Sequence, residues 1–153
     1  MAFCVCGRAS ADPAVVDQAD AELAPEQLKQ EEEKAGKDPA RLIPLAQRAR
    51  AEDARRLLHR AMQALTERVD LSAKDRARLA RLFASSLERA ARSPDDVAEI
   101  MGPKARPIVV RQVVNRLCRE QWLYETPLRL AVTVDSMRGR DPQVSGVAVW
   151  RAP

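Results

Sequence analysis

"PIVVRQVVNRLCREQ", residues 107–121, is the stretch whose reading decides the fold. It holds Ile108, Val109, Val110, Val113 and Val114, a density of β-branched residues that by local preference alone allows a strand. The spacing of Val110, Val113, Val114 and Leu117 nevertheless fits one face of a helix. Pro107 suits a first helical turn, where its missing N–H costs nothing. Read as a helix, the segment has a broad apolar stripe of Val109, Val110, Val113, Val114, Leu117 and Cys118. Arg111, Gln112, Asn115, Arg116 and Arg119 then occupy the other face.

The sequence before it supports a helical reading. "SPDDVAEIMGP", 93–103, offers Ser93 as N-cap, Pro94 at the first position and Asp95 and Asp96 at the positive end of the helix dipole. Val97, Ile100 and Met101 share one side, and Gly102-Pro103 stops the helix after about two turns. Ser72, with Asp75 three residues later, starts another helix with Leu79, Leu82, Phe83, Leu87 and Ala90 as its apolar stripe. A longer helix is expected over 45–69, with Leu57, Leu58, Ala61, Met62, Leu65 and Val69 at helical spacing. His59, the one histidine of the chain, lies beside that stripe as a boundary residue rather than a ligand.

After residue 121 the pattern changes. Leu128, Leu130, Val132 and Val134 alternate, and 144–150 is again rich in β-formers. Between them "SMRGRDPQ", 136–143, supplies turn chemistry: Gly139 for a positive φ and Asp141-Pro142 to reverse the chain. A hairpin with its loop at 135–143 follows, and it must lean on the helices to be stable. The expected fold class is therefore mainly α with a small β-hairpin.

Residues 1–40 hold nine acidic and four basic side chains, three prolines and few large apolar ones. They are expected to form a flexible acidic N-terminal arm, with a transient helix around 26–35. Residues 41–153 would be the folded part. In contrast, 104–119 holds five basic residues (Lys104, Arg106, Arg111, Arg116, Arg119) and no acid. Such a run is the footprint of a polyanion or a solvated arginine face, and charge alone leaves both open.

The order of helix, short capped helix, turn, basic helix and hairpin over residues 75–150 resembles the winged helix-turn-helix superfamily. "SPDDVAEIMG" is similar to its second helix. "VVRQVVNRLCREQWLYET" is similar to its recognition helix running into the first wing strand, with the winged unit spanning 72–151 after an added helix at 45–69. The turn "GPKARP" is longer than the family's minimal turn. The resemblance implies a DNA-binding protein, a transcriptional regulator or a plasmid or phage replication or partition accessory. Arg111, Gln112, Asn115 and Arg116 would face the major groove, Arg119 would add a further DNA contact, Lys104 and Arg106 would sit near the phosphates, and Arg138 and Arg140 at the wing tip would enter a minor groove. A continuous positive face joining Arg111, Arg116, Arg138 and Arg140 is what this reading requires. Helix 45–69 is the expected homodimer contact. The same superfamily also serves as protein–protein adaptors and assembly subunits, which is the alternative.

Other classes find little support. Five scattered glycines make no phosphate loop, and one histidine cannot complete a triad or a zinc set with Cys4, Cys6 and Cys118. No enzyme activity, cofactor or metal is expected. Cys118 reads as a helix core position. Unpaired thiols suit a reducing compartment, so a cytoplasmic or nucleoid-associated location is expected, without a membrane span.

Overall fold

In the computed structural model residues 107–121 are not a helix. They run through two strands and a tight turn. The structure describes residues 21–68 and 70–151. Five helices come first: α1 (Pro25–Ala35), α2 (Pro39–Gln47), α3 (Ala51–Glu67), α4 (Ala73–Ala90) and α5 (Pro94–Met101). Four strands follow: β1 (Ile108–Val114), β2 (Leu117–Tyr124), β3 (Leu130–Met137) and β4 (Gln143–Val149). They form one antiparallel sheet in the order β1-β2-β3-β4. The fold is thus mixed α and β, a helical body followed by a four-stranded meander, and not mainly α.

The helix starts follow local chemistry. Ser93 and Asp96 make a full capping box on α5, with Pro94 in the first turn and Gly102 at φ 82° closing the end. The Ser72 side chain accepts from the Asp75 N–H at the start of α4. Burial pushes the Asp96 carboxyl up, but the N–H groups of Arg92 and Ser93 and the nearby Arg55 hold it below its ordinary value. The helix expected over 45–69 is two helices, because the chain breaks at 48–50 and restarts with Arg50 as N-cap. Val69, residues 1–20 and residues 152–153 lie outside the described residues, and with them Cys4, Cys6 and the first half of the expected arm.

The second half of that arm is helical. α1 buries Leu28 and Ala35 in the core. Glu32 joins it to α3 through ion pairs with Arg56 and Arg60. The physical reason is local: two well-placed apolar residues and one shared carboxylate fix a segment whose overall composition reads as unfoldable.

The core lies between the helices and one face of the sheet. Leu57, Leu58, Ala61, Met62 and Leu65 of α3 are buried against α2, α4 and α5. The stripe expected to hold a second copy of the chain is therefore filled by the chain itself. Phe83 and Leu87 of α4 and Val97 and Ile100 of α5 complete the helical side. Tyr124, Leu130, Val132 and Val134 complete the sheet side, with burial pushing the Tyr124 phenol up to about 12. α4 packs on β4, so the helices cover the late strands, and β1 at the far edge of the sheet has no comparable helix packed on it.

Candidate interaction site

β1 is an edge strand exposed on both faces. Ile108, Val109, Val110, Val113 and Val114 are between 42% and 67% exposed. Edge strands usually carry a device against pairing: a proline, a bulge, or a lysine on the rim. β1 has no proline, bulge or lysine, and its one charged residue, Arg111, is held by Glu120 across the pair. Its register with β2 is unbroken from Ile108↔Leu123 to Val114↔Leu117. The two strands join through Asn115-Arg116, with Asn115 at φ 58°, a conformation asparagine tolerates and a two-residue hairpin loop needs.

The register assigns every side chain a face. Val132 and Val134 are buried and so mark the helix side, and they pair with Trp122 and Glu120. Glu120 in turn pairs with Arg111, so Val109, Arg111 and Val113 lie on the helix side but project past the helices. Arg111 donates from Nε and Nη2 to Glu120 Oε1 at 2.8 and 2.6 Å. The Trp122 indole donates to the other oxygen at 3.0 Å. The Trp122 and Arg111 hydrogen bonds hold the Glu120 carboxyl below its ordinary value.

On the outer face lie Ile108, Val110, Gln112 and Val114. Arg119 there makes a two-pronged bond to Asp135, 2.7 and 2.9 Å, and that bond draws the carboxyl down. This face has an apolar row at each end, Ile108–Leu123–Ala131 and Val114–Leu117–Met137, with the Gln112–Arg119–Asp135 row between them.

The residues expected to meet a DNA groove are therefore dispersed. Arg111 and Arg119 point to opposite faces, and each is neutralised by a cross-strand carboxylate. Gln112 sits at the centre of the edge strand. Asn115 and Arg116 form the β1–β2 turn, and Arg138 and Arg140 lie in the β3–β4 loop, where the Arg140 N–H donates to the Met137 carbonyl. In an antiparallel meander these two turns lie at the same end of the sheet, so Arg116, Arg138 and Arg140 share an end. Arg111 does not join them, and the continuous face of four arginines is not formed. Lys104 and Arg106 precede β1 and lie at the opposite end, with Lys104 lining a cleft beside His59, Met62 and Thr126. His59 Nδ1 is 3.2 Å from the Ile100 carbonyl, where it ties α3 to the end of α5.

Family models, curated proteins and solved structures give no match to this chain. Among the described residues no group of three or more His, Cys, Asp and Glu side chains is placed to hold a metal ion. No described helix is long and apolar enough to cross a membrane. Cys118, expected in a helix core, is half-buried on β2. The apolar residues of β1 are the part of the site that the helical reading hid. Their signal was present in the sequence as β-branched density.

Proposed function

We propose that this chain is an assembly module that associates with a second copy through β1, without requiring nucleic acid. One observation carries the reading: five large β-branched side chains stand exposed on an edge strand whose one charge is already paired within the sheet. Pairing satisfies the open backbone groups and removes apolar surface from water at once. The sequence of β1 suits its own copy. In an antiparallel arrangement centred on Gln112, Val110 faces Val114 of the second copy and Gln112 faces Gln112. Arg111 then faces Val113 and not another arginine, and Glu120 already balances its charge. A two-fold axis through Gln112 gives a closed dimer, the commonest symmetric assembly.

Sedimentation velocity of the full chain at rising concentration tests this. The wild type should pass from monomer to dimer in the micromolar range, on the order expected for an interface at the small end of the stable class. Val110→Lys/Val113→Lys places a charge on each exposed face without touching the core, and it should remain monomeric. A wild type monomeric at all concentrations, or a variant that dimerises equally, contradicts the reading.

A second reading is favoured by the shared location of Arg116, Arg138 and Arg140. In it the hairpin tips hold a DNA backbone, with affinity supplied by phosphate neutralisation. Arg116→Ala/Arg138→Ala/Arg140→Ala should then lower the slope of log affinity against log salt by about 2.7, at about 0.9 per phosphate contact. An unchanged slope, or no binding by the parent chain, removes this reading.

A further inference from the structure

A cleft of about 730 Å³ lies at the end of the sheet opposite the arginine-bearing tips. It is bounded by the first half of α4, the β2–β3 turn and the residues that close β4. Its size falls within the ordinary range for small-molecule sites. Arg76, Arg81, Arg129 and Arg151 line it, against one carboxylate, Glu125. None of the four guanidiniums makes an ion pair among the described residues, whereas Arg111 and Arg119 on the sheet each have one. Four like charges around one cavity repel each other, and an anion in the cleft relieves that repulsion. Arginine's planar fork also matches phosphate oxygens two at a time.

Apart from Thr126, the rest of the lining is apolar. Ala73, Ala77, Ala80 and Val149 form the walls, with Trp150 among them. The indole is fixed in place: its Nε1–H donates to the Tyr124 carbonyl at 2.9 Å, and the Arg129 guanidinium sits 5.8 Å from the ring centroid. With the guanidinium over one face of the indole, the other face is the stacking platform for a planar group.

We infer that this cleft binds a polyphosphate-bearing ligand with a planar body, the chemistry of a nucleoside di- or triphosphate. The phosphates lie among the arginines and the base lies along Trp150. The site is separate from β1 and does not depend on how the chain assembles.

Isothermal titration of the full chain with ATP in the presence of EDTA tests it, with tripolyphosphate and adenosine as the two halves of the probe. ATP should bind more tightly than either half. Arg76→Gln/Arg129→Gln should weaken ATP by about tenfold or more, the loss of one or two charge-assisted contacts. Both arginines are exposed, so the global fold does not depend on them; because Arg129 also steadies Trp150, Arg76→Gln alone should weaken ATP and tripolyphosphate alike. Arg138→Gln/Arg140→Gln removes the same charge at the far end and should leave ATP affinity within about twofold. The inference is overturned if ATP gives no saturable binding. It is equally overturned if both double variants weaken ATP alike, which would mean a general attraction to a basic chain. Trp150→Phe should leave tripolyphosphate unchanged and weaken ATP, and equal effects on both would overturn the place given to the base.

Discussion

Glu32 does at the level of one residue what composition could not forecast. Its carboxylate sits largely buried between α1 and α3 and receives both Arg56 and Arg60 from α3. The Arg56 hydrogen bond is the main cause that holds its pKa below the ordinary 4.5, against the opposing effect of burial. The folded value is the lower one. Its contribution to stability is therefore fully present above about pH 4.5 and is lost as pH falls through the folded value. Glu32→Gln should cost about 1 kcal/mol near neutral pH, since solvent screens the half-exposed arginines. Thermal unfolding of the two proteins from pH 7 to pH 3 should show the gap in Tm closing on acidification. A gap that stays constant would mean that Glu32 acts by packing and not by charge. The same residue explains why the packing of residues 25–35 is hard to read: a sequence displays three consecutive glutamates at 31–33, but not which one meets arginine.

At the scale of elements, the features that were legible are those written locally. Ser72 and Ser93 announced α4 and α5, because a cap is decided within four residues. The β3–β4 hairpin was legible too, since Leu130, Val132 and Val134 alternate and Gly139 marks the turn. The β1–β2 hairpin was not. Its paired valines fall at i, i+3 and i+4 by coincidence of two doublets, and β1 is apolar on both faces, so no period-two alternation exists to be seen. Its turn lacks a glycine, with Asn115 taking the positive φ. The available signal was charge complementarity. A turn centred on Asn115-Arg116 sets Arg111 opposite Glu120, and Arg119 then meets Asp135 across the next pair. That signal appears only once a hairpin is assumed. Of the candidate site, Arg138 and Arg140 were correctly placed at a hairpin tip. Arg111, Gln112 and Arg119 were placed on one helix face and instead divide between the two faces of a sheet. Arg76, Arg129 and Trp150 come from distant parts of the chain, and only the fold brings them to one cleft.

At the scale of the whole molecule, the helices and the sheet do different work. The helical layer covers β3 and β4 and leaves β1 outside, with the arginine-bearing tips at one end and the arginine-lined cleft at the other. The central claim is that this uncovered strand joins two copies about an axis at Gln112. Cross-linking tests it most directly. Gln112→Cys in a Cys4→Ser/Cys6→Ser/Cys118→Ser background, treated with a short bis-maleimide at micromolar protein concentration, should give a covalent dimer in high yield, while the cysteine-free chain under the same treatment gives none. The dimer should be suppressed when Val110→Lys/Val113→Lys is added. A Gln112→Cys chain that stays monomeric under conditions where sedimentation shows dimer would contradict the β1 pairing.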